Sequence, residues 1–275
     1  MDHLLIVAAA IIVCIGLPFL IIFAVEKIKK IKIKNKHMQR TVLSILLFLI
    51  TVYVYLAAYN KALPEAKEYL NSSSTVEVIQ HDRDYLFDGP GEDTLIVFYP
   101  GAKVEMIAYA PLMYKLAEAG YDTHIVRMPF NMAFFGVNRM NKVVKVHNNY
   151  KNYIIMGHSL GGAMAAYYAA KHTDVVSGLV LLGSYSTEKI DDSIPTLSIY
   201  GSNDLCLNKD LYNKNYKNFP KTFEEFIIEG GNHTQYAYYS LQKGDGIALI
   251  SYMEQTTITT NKIVEFFNKN KKASD

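Results

Sequence analysis

The sequence predicts an α/β fold: a mostly parallel, doubly wound sheet preceded by two transmembrane helices. Three observations lead there. Two uncharged apolar runs lie within the first 60 residues, on either side of a lysine-rich segment. After residue 75, short continuous apolar runs alternate with longer stretches of helical spacing. Half of the 275 residues are hydrophobic and a fifth are charged, the balance of a packed globule and not of a disordered chain.

The first run covers about residues 4–25 and contains no charged side chain. At ~1.5 Å rise per residue it is long enough to cross a bilayer core. The competing reading is a cleaved signal peptide. Met1-Asp2-His3 lacks the Lys or Arg of a signal n-region, and the run is long for an h-region. The second run, about residues 42–59, carries Tyr53, Tyr55 and Tyr59 towards its far end, where aromatic rings favour the interface. Its alternative is a buried core helix. Between them, "EKIKKIKIKNKHMQR" gathers Lys27, Lys29, Lys30, Lys32, Lys34, Lys36 and Arg40. The positive-inside rule makes that loop cytoplasmic and sends everything after residue 60 to the extracytoplasmic side of the cell membrane. The net charge is +2, so the rest of the chain is acidic, which excludes general nucleic-acid binding. Cys14 and Cys206 are the two cysteines, too few for a disulfide framework. Residues 61–74, with Pro64 and Ser72-Ser73-Ser74, are expected to be a linker between a membrane anchor (1–60) and a globular domain (75–275).

Within that domain, residues 75–80 and 84–87 are short β-rich runs suited to an antiparallel edge. Residues 94–100 (TLIVFYP) form an uninterrupted apolar strand, and 105–120 have helical spacing ending at Gly120. The alternation continues with a strand at 122–128, a helix at 138–148, a strand at 152–157 and a helix at 159–171. Strands follow at 177–183 and 195–201, then a helix at 207–218, a strand at 222–230 and a closing helix at 252–268. Runs that are apolar on both faces indicate a sheet covered on both sides, and this spacing gives βαβ units.

Ligands of such sheets bind at the C-terminal ends of the strands. Ser159 stands at one of these ends, inside Gly157-His158-Ser159-Leu160-Gly161. The flanking glycines suit a sharp strand-to-helix turn, and the helix N-terminus favours negative charge. "YGSND" closes the strand at 195–201 with Asp204, and "EGGNH" closes the next with His233. The chain order is therefore Ser, Asp, His. Residues 94–270, through "FYPGAKVE", "RMPFN", "GHSLGGAMAA", "YGSND" and "EGGNH", resemble the compact, lidless serine esterase-like branch of the α/β-hydrolase superfamily.

The resemblance implies a carboxylic (acyl) ester hydrolase working through an acyl-enzyme, with Ser159 as nucleophile, Asp204 as acid and His233 as base. Asp191 or Asp192, after the preceding strand, is the rival acid. The expected oxyanion donors are the backbone N–H groups of Leu160 and Ala102, with Lys103 next in line. Only "SYSTEKIDDS" separates the strands at 177–183 and 195–201, so no helical lid fits and the pocket should be open. Its expected lining includes Met132, Lys103, His158 and Tyr236, drawn mostly from the segments 129–140 and 234–246. No cofactor or metal is implied, since the histidines lack H-x-H or H-E-x-x-H spacing. The expected partner is a small-molecule or lipid-like ester, with no required protein partner. Two other readings stay open: an acyltransferase on the same fold, and a non-catalytic hydrolase-like binding protein.

Overall fold

The computed structural model describes residues 2–272, with side chains from 11 to 270. The chain divides into two compact units, 1–58 and 59–275.

The first unit is a helical hairpin, α1 (Asp2–Lys29) and α2 (Lys36–Ala57). The helices touch each other, with Cys14 Sγ 3.7 Å from Thr51 Oγ1 and the Arg40 guanidinium over the Phe19 ring at 4.3 Å. Both are long and apolar enough to cross a membrane. No residue of α2 is buried, whereas a core helix of a soluble domain buries an apolar face. Glu26 accepts a hydrogen bond from the Ile33 N–H, which tightens the lysine-rich turn.

The second unit is built on one eight-stranded sheet in the order β1-β2-β4-β3-β5-β6-β7-β8. Its strands are β1 (Glu77–His81), β2 (Asp84–Asp88), β3 (Thr94–Tyr99), β4 (Asp122–Ile125), β5 (Asn152–His158), β6 (Gly178–Leu182), β7 (Thr196–Gly201) and β8 (Phe223–Ile228). The edge hairpin β1–β2 is antiparallel, β2 pairs antiparallel with β4, and the pairings from β4 to β8 are parallel. The fold is thus the mostly parallel sheet that the alternation predicts.

Two apolar layers cover the sheet, and strand pleating sorts the residues between them. Ile96 and Phe98 of β3 pack with Leu112, Leu116 and Phe266 from α4 (Ala110–Glu118) and α8 (Tyr252–Lys272). Leu95, Val97 and Tyr99 of the same strand pack with Met140 and Val143 of α5 (Arg139–Val146) and Ala165 and Ala166 of α6 (Leu160–Lys171). The helix expected over 105–120 begins as a 3₁₀ turn at Met106–Tyr109 and becomes α-helical at Ala110, with Pro111 in its first turn, where the missing N–H is harmless.

The expected linker at 61–74 belongs instead to the globular unit. It carries α3 (Pro64–Glu68), whose Ala66 is fully buried, and Tyr69 and Leu70 pack against the core. Asn60 bridges to Val104, Ala62 bridges to Tyr239, and the Glu105 carboxylate accepts from the Ala62 N–H. These contacts are contributed by scattered single residues, so they leave no periodic pattern in the sequence.

Candidate active site

Three strand ends assemble the site. At the end of β5 the chain turns through Ser159 with φ 54° and ψ −124°, a conformation that L side chains rarely adopt. The serine hydroxyl makes no capping hydrogen bond to α6, so the residue is not an ordinary N-cap. Two bonds fix its backbone: the Ser159 N–H donates to Leu182 O at 2.9 Å, and Ser184 Oγ donates to Ser159 O at 2.8 Å. The turn is tight because α6 starts directly behind β3. A Cβ on Gly161 would overlap the carbonyl oxygens of Tyr99 and Pro100, so glycine alone fits there. Leu160 is the first residue of α6, where helix N–H groups have no intrahelical acceptor.

Beyond β7, Asp204 is buried and its carboxylate is held at both oxygens. Oδ1 accepts from the Cys206 and Leu207 N–H groups at 2.9 and 2.8 Å, and Oδ2 lies 2.8 Å from His233 Nδ1. His233, beyond β8, is also buried, and its Nε2 has no hydrogen-bond partner among the described residues. The rival acids are elsewhere: Asp191 is exposed and caps Ser193, and Asp192 is exposed and pairs with Lys221.

Several residues that the sequence left unremarked hold these loops. Asp245 joins the loop after β7 to the loop after β8: Oδ1 accepts from the N–H groups of Leu205 and His233, and Oδ2 accepts from the N–H and hydroxyl of Thr234. Gln255, buried on α8, clamps Asn232 from both sides of its peptide. Burial, with Asp245 and Asp204 nearby, pushes the Cys206 thiol up to about 11, so it is protonated and inert at neutral pH.

His158 does not line an open pocket. It is buried, its ring centroid 4.5 Å from that of His233, with Nδ1 2.8 Å from the Tyr109 hydroxyl. That hydroxyl also accepts from the Gly101 N–H at 3.0 Å. Burial and the neighbouring His233 ring hold His158 well below the usual imidazole range, so it is neutral and cannot compete as a base. Tyr236 is likewise buried, against the His158 ring at 5.4 Å, and Tyr238 and Tyr239 are core residues. Residues 234–239 thus turn their rings inward, because the segment follows β8 into the space between the sheet and α8. On the other side, Met132 is half-buried and Phe134 and Phe135 are exposed. Lys103 is half-buried with φ 57°, desolvation lowers its ammonium pKa, and its N–H donates to Asn131 O at 2.7 Å.

Against this geometry, residues 95–257 match the family model described as the alpha/beta hydrolase family. The chain belongs to that family. Solved structures of the same fold include a predicted CIB-like hydrolase from Thermoplasma acidophilum (16% identity, 71% of this chain and 100% of that one, TM-score 0.51). Est1E from Butyrivibrio proteoclasticus is similar at 16% identity over 71% of this chain and 98% of its own, with TM-score 0.51. A soluble variant of monoglyceride lipase from Saccharomyces cerevisiae is similar at 11% identity over 73% of this chain and 96% of its own, with TM-score 0.53. Likeness at these identities concerns the fold. No curated protein matches the chain. The family and the hydrolase neighbours make this alpha/beta hydrolase a hydrolase by class, built on the sheet order described above.

Proposed function

We propose that this alpha/beta hydrolase is a membrane-anchored serine hydrolase that cleaves carboxylic esters, with Ser159 as nucleophile, His233 as general base and Asp204 as its orienting acid. The observation that carries the reading is the buried Asp204–His233 pair at 2.8 Å, with Nε2 unbonded among the described residues, near a serine in a strained turn. Nothing about a structural histidine requires a buried carboxylate on one ring nitrogen and no partner on the other.

The reaction follows from those atoms. Asp204 holds the proton of His233 on Nδ1, which leaves Nε2 as the acceptor. In the proposed reaction the Ser159 hydroxyl gives its proton to Nε2; the two are not hydrogen-bonded in this structure, and such contacts commonly tighten only when substrate binds. Oγ attacks the ester carbonyl carbon while Nε2 takes the proton. The C–O bond to the leaving alcohol then breaks, and Nε2–H returns the proton to the alkoxide oxygen. Water, deprotonated by the same nitrogen, attacks the acyl-enzyme and releases the carboxylic acid with Ser159 restored. Negative charge builds on the carbonyl oxygen in both halves. Leu160 N–H is one donor for it, and Ala102 N–H is the other, since the Lys103 N–H is already bound to Asn131. Loss of one such donor costs about 3 kcal/mol of transition-state stabilisation.

Anchoring is supported by the two apolar helices and by the lack of any buried residue in α2. The lysine-rich turn between them supports an extracytoplasmic catalytic unit through the positive-inside rule. The function is tested by labelling the full-length protein with a fluorophosphonate probe. The unaltered chain should label and Ser159→Ala should not; equal signals would refute the assignment. Protease added to intact cells should degrade the catalytic unit, and protection until lysis would reverse the orientation.

A further inference from the structure

Three phenylalanines stand on the loop after β4, at the strand ends where Ser159, Asp204 and His233 are gathered. Phe130, Phe134 and Phe135 are 46%, 64% and 50% exposed, and they pack on each other edge to face, with centroids 5.9 Å (130–135) and 5.6 Å (134–135) apart. The exposure is built in. Phe130 and Asn131 both have positive φ, 53° and 52°, a conformation costly for a bulky residue. Hydrogen bonds hold the loop in it: Asn131 N to Met128 O, Met132 N to Pro129 O, and Lys103 N to Asn131 O. Leu205, Ile247 and Leu249 add further exposed apolar side chains on the loops after β7 and beside Gly230. Apolar clusters of this kind on a protein surface mark contact with another apolar phase.

The chain itself indicates which phase. The candidate span α2 ends at Ala57, and three peptide links later Asn60 is stitched into the loop after β3. Asn60 N–H donates to Lys103 O at 2.7 Å, and Glu105 N–H donates to Asn60 O at 2.9 Å. Lys103 in turn holds Asn131, next to Phe130. Three extended links reach roughly 10 Å. One short tether therefore joins α2 to the network that holds the phenylalanine loop. Arg127, exposed at the base of that loop, suits the headgroup level.

We propose that the rim around Ser159 docks onto a lipid bilayer through Phe130, Phe134 and Phe135, and that the ester substrate is an amphiphile drawn from that bilayer. The docking stands on the loop geometry and the tether; the substrate class rests on the serine-hydrolase reading above. Docking would set an acyl chain in the hydrocarbon while its ester lies at the depth of the serine, which explains why a hydrolase would be held so close to a membrane.

The sequence contains no tryptophan, so one indole can be introduced as a sole reporter. Phe134→Trp, in full-length protein reconstituted into phosphatidylcholine vesicles, should give blue-shifted emission. Acyl-chain-brominated phosphatidylcholine should quench it at least about twofold. Tyr216→Trp, exposed ahead of β8 at the opposite edge of the sheet, should show water-like emission without that quenching. Water-like emission at position 134, or equal quenching at both positions, would overturn the docking. For the substrate, a monoacylglycerol in the vesicles is compared with a water-soluble butyrate ester. Combined replacement of the three phenylalanines by serine should lower the ratio of the two rates about tenfold or more. An unchanged ratio would overturn the bilayer source. If the unaltered chain hydrolyses neither ester and takes no fluorophosphonate, the catalytic reading fails, the substrate class falls with it, and the quenching still decides the docking.

Discussion

Oδ2 of Asp204 lies 2.8 Å from Nδ1 of His233, while Oδ1 of the same carboxylate is held by two backbone N–H groups. The Asp204 carboxylate is therefore fixed at both oxygens, and since a carboxylate only accepts, it favours the imidazole tautomer protonated at Nδ1. Asp204→Asn keeps the shape but can donate where it should accept. It is expected to lower kcat by about 10⁴-fold. Asp191→Asn and Asp192→Asn, at exposed carboxylates that touch Ser193 and Lys221, should stay within about twofold of the unaltered enzyme. Steady-state ester hydrolysis by the three variants checks this. A large loss in either exposed variant would move the acid to the end of the other strand.

Gly183, just past β6, gives a sharper test of the same pair. Its φ is +52°, and a Cβ there would lie 2.7 Å from His233 Nδ1 and 3.0 Å from Asp204 Oδ2. Gly183→Ala should push the imidazole off its carboxylate and lower kcat by about 100-fold or more. Gly120→Ala provides the control for backbone strain, since Gly120 has φ +91° with no atom within 4 Å of a Cβ. Both variants should lose about 1–2 kcal/mol of stability to the unfavourable φ. Only the first should lose activity, read as kcat alongside the thermal midpoint.

Much of this architecture is legible in the sequence because it rests on strong local signals. Short continuous runs such as 94–99, rich in β-formers and bounded by turn residues, suit a doubly covered sheet, and this one is buried along its whole length. Ser159, Asp204 and His233 stand out as candidates in the sequence because each follows a strand, and strand ends are where such folds place ligands. What the sequence hides is long-range and polar. Asp245 has no motif, yet it ties 205 to 233–234. Tyr109 looks like one more apolar helix residue, yet its hydroxyl joins Gly101 to His158. The inward turn of Tyr236 depends on α8 packing behind it, which no local pattern reports. Residues 61–74 read as a linker because their contacts to Val104 and Tyr239 are single bridges.

Asp245 should act on both stability and turnover. Its carboxylate takes five hydrogen bonds, from Leu205, His233, Gly246 and, twice, Thr234. In Asp245→Asn the amide NH₂ would face either the Thr234 N–H and hydroxyl or the three backbone donors on the other side. Leaving such donors unpaired should cost about 2–3 kcal/mol in denaturant unfolding. The loops that carry Asp204 and His233 would also lose their common anchor, so kcat should fall with little change in KM. A variant with full stability and unaltered kcat would remove the residue from any role in holding the site.

Asp122 opens β4 at the opposite edge of the sheet from the serine, and it should govern stability without touching activity. Burial raises its carboxyl to about 6, opposed by hydrogen bonds from the Gly89 N–H and the Tyr150 hydroxyl, with Asp88 adding to the rise. The unfolded value is near 3.8. Between these two values the folded state holds the proton more tightly than the unfolded chain, so the slope of unfolding free energy with pH is negative. The stabilising contribution of this group is full below pH about 4 and is lost as the pH rises through about 6. Two pH units of difference correspond to about 3 kcal/mol as an upper figure. Asp122→Asn can still accept from Gly89 and donate to the Tyr150 oxygen, so it should mimic the protonated form at every pH. The expected result is a variant more stable than the unaltered protein at pH 7, with the difference vanishing near pH 4, measured by urea unfolding across that range. A gap that instead widened towards pH 4 would mean that the folded state favours the charged carboxylate.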